Sequence, residues 1–186
     1  MEHDLKQQTI TCSSDLDQLE AAVNASAKAT VGTLKRLLAS TSGLDAMALM
    51  KFGETGRDPL NLVRSLNVVE QLNQSFTYLA SITAARWLLA RYPECSPLTL
   101  NLGTAPGPDI QSKCGRFVAE TFAVTHPDSN DKLRKDVIKV EKLPAEHRFV
   151  FFLSPVDAQR IPHTSVTVVR LEHPVLGVLV SAWKEA

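Results

Sequence analysis

Residues 100–142, LNLGTAPGPDIQSKCGRFVAETFAVTHPDSNDKLRKDVIKVEK, decide how this chain is read. Gly107-Pro108-Asp109-Ile110 has the residues of a turn that leads into a short strand. Residues 117–124, FVAETFAV, then follow as a strand-like apolar run with one acid, Glu120, inside it. A carboxylate within such a run costs free energy unless something pairs with it. A divalent cation shared with Asp109 would supply that pairing. If residues 107–111 and 117–124 form a hairpin, the two acids share one face, and their carboxylates are expected roughly 4–6 Å apart.

Working outward, residues 128–140 have helical character and residues 98–102 alternate as a strand. A long helix is predicted before them. Asp58-Pro59 has the residue types of its start, and Tyr92-Pro93 stops it. Its apolar stripe includes Leu62, Leu66, Val69, Leu72, Phe76 and Leu79, with Glu70 at the border. A first helix is predicted from Ser14, with Leu16, Leu19, Val23, Ala27, Val31, Leu34 and Leu38 at steps of three or four. Beyond residue 140, the apolar run in residues 148–153 reads as a buried strand. Strands are also expected over residues 165–171 and 175–183. The sum is an α/β fold, a central mixed β-sheet of about five or six strands flanked by helices. Residues 1–58 are expected to form an N-terminal helical segment packed on an α/β core of residues 59–186, in one compact domain overall.

Composition limits the function classes. The chain has 186 residues, 44% of them apolar, which is enough for one full core. Twenty basic and twenty acidic side chains leave no overall field drawing it to nucleic acid or membrane, so any such binding must be local. Cys12, Cys95 and Cys114 are odd in number and form no CxxC pair, which fits reduced thiols. The polar start MEHDLKQQTITCSS has no signal-peptide core, and no apolar run reaches transmembrane length. A soluble, cytoplasmic protein with no membrane association is expected. The sequence holds no P-loop, no GxSxG elbow and no zinc spacing among its five histidines.

Asp109, Glu120 and Glu70 can be brought to one point if the long helix crosses the sheet. Carboxylates with a backbone carbonyl make a hard oxygen site suited to Mg²⁺, which activates water and stabilises charge on a phosphodiester under attack. Each acid also has an ordinary reading: Asp109 as a turn residue, Glu70 as a solvated helix acid, Glu120 as an edge-strand surface acid. Lys113 and Arg116 lie in the turn before the Glu120 strand, and Lys132, Arg134 and Lys135 on the helix after it. They are candidate phosphate contacts, or else members of a solvated amphipathic face.

The order of helix with Glu70, strand, Pro108-Asp109 at a turn, strand with Glu120, helix and strand resembles the PD-(D/E)XK nuclease superfamily, the restriction-endonuclease-like fold. The resemblance covers roughly residues 59 to 153. It implies that Asp109 and Glu120 are the metal ligands, with Asp109 in the bridging role, and that Glu70 is the helix acid. The superfamily's water-orienting lysine position falls on Phe122, which has no donor. The resemblance allows that lysine to migrate to the next helix, where Lys132 is the first choice and Lys135 the second. The expectation is a Mg²⁺-dependent endonuclease-like protein acting on DNA phosphodiester bonds, with a homodimer as its assembly. The alternative is a catalytically inactive nuclease-like subunit of a restriction or defence system that binds DNA or protein.

Overall fold

The structure, a computed structural model, describes residues 7–102, 106–161 and 164–177. The chain opens with strand β1 (Gln7–Ile10), then helices α1 (Ser13–Leu38) and α2 (Gly43–Phe52). A hairpin of β2 (Gly56–Asp58) and β3 (Asn61–Leu66) precedes the long helix α3 (Val68–Arg91). Then come β4 (Leu98–Asn101), β5 (Ile110–Ser112), β6 (Phe117–Ala123), helix α4 (Lys132–Glu141), β7 (His147–Leu153) and β8 (Thr167–Leu171). The α/β class is as expected, and among the described residues the main sheet has six strands in the order β1-β4-β5-β6-β7-β8. The pairs from β1 through β6 are antiparallel, while β6–β7 and β7–β8 are parallel. α4 is the crossover between β6 and β7, as a parallel pair requires.

Both faces of the sheet are covered, which is why its central strands are nearly continuously apolar. Phe117 and Ala119 of β6 and Phe149, Phe151 and Leu153 of β7 face α3, packing with Tyr78, Ile82, Ala85 and Leu88. Trp87 meets the rings of Phe149 and Phe151 edge-on at 5.7 and 5.3 Å between centroids. Val118, Phe122, Val150 and Phe152 face α4 and pack with Leu133, Val137 and Val140.

Four expectations change. The long helix does not begin at Asp58-Pro59. Asp58 is fully buried, its Oδ1 accepts the Leu60 amide at 3.0 Å, and its Oδ2 takes the Arg64 guanidinium at 3.1 Å. The Asp-Pro pair therefore makes a turn inside a hairpin, and Asn67 caps the helix instead. A boundary between residues 58 and 59 would cut the β2–β3 hairpin, and Leu16 and Val23 of α1 belong to the same core as the sheet. The helix over 128–140 starts at Lys132, because Asn130 and Asp131 take left-handed backbone angles (φ 57° and 54°) that end the preceding 3-10 turn. Residues 174–177 form a helical turn, and the rest of the strand expected over 175–183 lies outside the described residues. Among the described residues no helix is long and apolar enough to cross a membrane.

Candidate functional site

The β5–β6 hairpin carries the two strand acids. Its turn closes at Gly115, where φ of 75° favours a residue without a Cβ. Ile110 pairs with Ala119, both facing α3, so Asp109 and Glu120, one step further along, share the opposite, α4-facing side. The main-chain oxygen of Asp109 accepts the Asn101 amide at 2.8 Å, anchoring the segment to the end of β4. Its Oδ2 accepts the Thr121 amide at 2.7 Å and the Thr121 hydroxyl at 3.2 Å. The Thr121 hydroxyl also bonds Ser81 of α3 at 2.7 Å, tying the acids' hairpin to the long helix.

Glu120 is 3% exposed. Its Oε2 accepts a 2.7 Å hydrogen bond from Lys139 Nζ, and its Oε1 is buried with no partner among the described residues. Burial, reinforced by the neighbouring Asp109 charge, pushes its pKa up to about 7 against the pull of Lys139. Burial likewise raises Asp109, although the Thr121 amide and Lys139 oppose the shift. For Lys139, burial disfavours the ammonium, but Glu120 and then Asp109 and Asp136 outweigh it and hold its pKa above the ordinary value. Asp136 is a further buried acid on α4. Its Oδ1 takes Lys132 Nζ at 2.8 Å, its Oδ2 has no partner among the described residues, and burial raises its pKa.

Asp109, Glu120, Lys132 and Lys139 all line one open cavity of about 920 Å³, which also takes the end of β6 into its wall. From α3 its wall receives Asn73, Phe76 and Thr77. Glu70 is not part of it. That side chain accepts the Asn67 amide at 3.2 Å while Asn67 Oδ1 accepts the Glu70 amide at 2.9 Å, a capping box at the exposed start of α3. Lys132 reaches the rim and is committed to Asp136, with its Nζ 5.6 Å from the centre of the Phe122 ring. Lys135 bonds the Asn130 carbonyl at 3.0 Å, away from the acids. The lysine that meets Glu120 is therefore Lys139, two turns further along α4 than Lys132. Phe122, at the motif's lysine position, is 4% exposed and stacks on Phe152 in the core under α4.

The candidate phosphate contacts divide in the same way. Arg116 donates to Glu146 and Glu94, each at 2.9 Å, so its guanidinium is occupied within the fold. Lys113 and Arg134 are exposed. The donor set suits a hard cation, with two carboxylates on one side of the sheet and a buried, unpartnered oxygen on Glu120. Among the described residues no three His, Cys, Asp or Glu side chains converge as a ready metal-ligand group, so any ion would be completed by water or backbone oxygens. Comparison of the chain with protein-family models, with curated proteins and with solved structures finds no match.

Proposed function

We propose that this chain is a Mg²⁺-dependent endonuclease-like protein acting on DNA phosphodiester bonds, with Asp109 and Glu120 as metal-binding acids and Lys139 as the cation beside them. The observation that carries the reading is the buried Glu120, paired through one carboxylate oxygen with the half-exposed Lys139 and without a partner on the other among the described residues, next to Asp109 on the same sheet face. The element order α3-β4-β5-β6-α4-β7, antiparallel to β6 and parallel from β6 to β7, supports a restriction-endonuclease-like core. Lys139, on the helix after the Glu120 strand, supports a migrated lysine.

Mg²⁺ bound here would supply a hard Lewis acid that lowers the pKa of water and neutralises phosphate charge. The Asp109 and Glu120 carboxylates would hold it. Glu120 must be ionised to do so, and its pKa of about 7 places that ionisation near neutral pH. Lys139 Nζ then has donors to hold an attacking water and to balance charge on a phosphate oxygen. Lys132 at the rim is placed for a second phosphate oxygen, and Asn73 and Thr77 supply neutral hydrogen-bonding groups on the opposite wall.

A second reading, a non-catalytic DNA- or protein-binding subunit, is favoured by one observation. Each acid already has one oxygen engaged, Asp109 by Thr121 and Glu120 by Lys139. Two measurements separate the readings: titration calorimetry with Mn²⁺ or Mg²⁺, and nicking of supercoiled plasmid DNA in the same buffers. Metal binding lost in Asp109→Asn and Glu120→Gln, with nicking by the wild type, supports the enzyme. DNA retention in EDTA with neither metal binding nor nicking supports the subunit.

A further inference from the structure

A second cluster of reactive groups lies at the turn end of the β5–β6 hairpin, away from the acids. After α3, the chain makes a 3-10 turn, Pro93–Cys95, and then enters β4. Leu98 pairs with Ser112, and the Lys113 amide donates to the Pro97 carbonyl at 3.0 Å, so the turn before β4 runs alongside the hairpin turn. This register sets the turn that carries Cys95 beside the turn that carries Cys114, although the two are 19 positions apart in sequence, so each thiol lies in the electrostatic field of the other. Their surroundings differ. Cys114 is exposed, with Sγ 3.4 Å from the Ser112 hydroxyl, and Cys95 is 1% exposed, with Sγ 3.7 Å from Arg116 Nη1.

We propose that Cys95 and Cys114 form a hydroperoxide-responsive dithiol that closes reversibly into an intramolecular disulfide. The proposal is independent of the nuclease reading. Cys114 is the attacking group: it meets solvent, and its polar contacts with the Ser112 hydroxyl and the Arg116 main chain hold its thiol below the ordinary pKa. Burial holds Cys95 protonated, pushing its pKa up to about 11, so it does not compete for oxidant. The Cys114 thiolate attacks one peroxide oxygen, the O–O bond breaks, and a sulfenic acid and a hydroxide or alkoxide form. Cys95 sulfur then attacks the sulfenic sulfur. The S–S bond forms as the S–OH bond breaks, and the departing hydroxide leaves as water with the Cys95 proton. The Arg116 guanidinium beside Cys95 favours the thiolate that develops in that step. In sum, two thiols and one hydroperoxide give one disulfide, one alcohol or water, and one water. An external dithiol reverses the reaction by exchange. The bond would join the end of α3 to the hairpin that carries Asp109 and Glu120.

The test is peptide mapping of the reduced full-length protein after brief treatment with a small excess of hydrogen peroxide. The expected product is a peptide pair joined through Cys95 and Cys114, lighter than the two free peptides by two hydrogens, restored by dithiothreitol, with Cys12 still free. In Cys95→Ser, Cys114 should accumulate as a sulfenic acid that dimedone traps. In Cys114→Ser, Cys95 should oxidise at least about tenfold more slowly than Cys114 does in Cys95→Ser. Oxidation of Cys12 while Cys95 and Cys114 stay free would overturn the proposal. So would cross-links only between molecules, or Cys114 passing to sulfinic acid beside a free Cys95. The wild-type map decides this even if a variant fails to fold.

Discussion

Replacing Lys139 with Met should destabilise the fold in a pH-dependent manner whose size follows from Glu120. The lysine stem is kept and only the ammonium is lost. A charge-assisted hydrogen bond to a buried carboxylate contributes about 1.5–3 kcal/mol. Half of the Lys139 side chain meets solvent, so the lower part of that range applies, about one pKa unit on Glu120. From its present value of about 7, the acid would move to roughly 8. At pH 8, a shift of that size costs about 1 kcal/mol, and larger shifts level off near 1.4 kcal/mol because the carboxyl protonates instead. At pH 5, Glu120 is protonated in both proteins, and the difference should fall to nearly zero. Urea unfolding at the two pH values, with NMR titration of the Glu120 carboxyl carbon, measures both quantities. Equal destabilisation at pH 5 and pH 8, or an unmoved Glu120 titration, would refute the idea that Lys139 acts on this acid.

Three further outcomes follow from the same geometry. Glu120→Gln should stabilise the fold by about 1–3 kcal/mol at pH 8, because a folded-state pKa raised to about 7 means stability is lost as pH rises from the unfolded value through 7; the gain should shrink to under about 1 kcal/mol near pH 5 in denaturant titrations. Binding of Mn²⁺ or Mg²⁺ at pH 6.5 should release protons from Glu120, seen as calorimetric heats that change with the buffer's ionisation enthalpy, and that proton release should fade at pH 8, where Glu120 is already mostly ionised. Gln71→Ala should cost about 2–4 kcal/mol by thermal or urea unfolding. The Gln71 side chain is 4% exposed, accepts from the Thr30 hydroxyl and the Arg57 amide, and donates to Ser26, so its loss strands three partners between α1, α3 and β2.

The sheet was legible in the sequence because its strands show their burial. Residues 117–124 and 148–153 carry aromatic and β-branched side chains that fit a layer covered on both faces, and Asp109 and Glu120 fall on opposing positions as a hairpin requires. The β2–β3 hairpin was hidden by a coincidence of spacing. Leu62 and Leu66 stand four apart as on a helix, and Asp58-Pro59 imitates a helix start. The decisive signal was Asn67-Val68-Val69-Glu70, a capping-box spacing that marks the true start of α3 and gives Glu70 its role. Lys139 was missed because proximity in sequence favoured Lys132. On α4, Leu133, Asp136, Val137 and Val140 are the buried residues, and Lys139 stands three residues after Asp136 on the edge of that face, seven after Lys132. That stripe could have pointed to it. The unpartnered oxygens of Glu120 and Asp136 and the juxtaposition of the Cys95 and Cys114 turns depend on tertiary packing and have no sequence signature.

The central claim, that Asp109, Glu120 and Lys139 form a metal-dependent phosphodiesterase centre, is tested most directly by single-turnover cleavage of plasmid and linear DNA in Mg²⁺ or Mn²⁺. The account predicts wild-type cleavage abolished by EDTA and lost in Asp109→Ala and Glu120→Ala. Lys139→Ala should slow it by on the order of 10²–10⁴-fold, while Lys132→Ala, at the rim, should slow it by less than about tenfold. Cleavage that survives Lys139→Ala, or a well-folded wild type that neither binds a divalent cation nor cuts DNA, would contradict it.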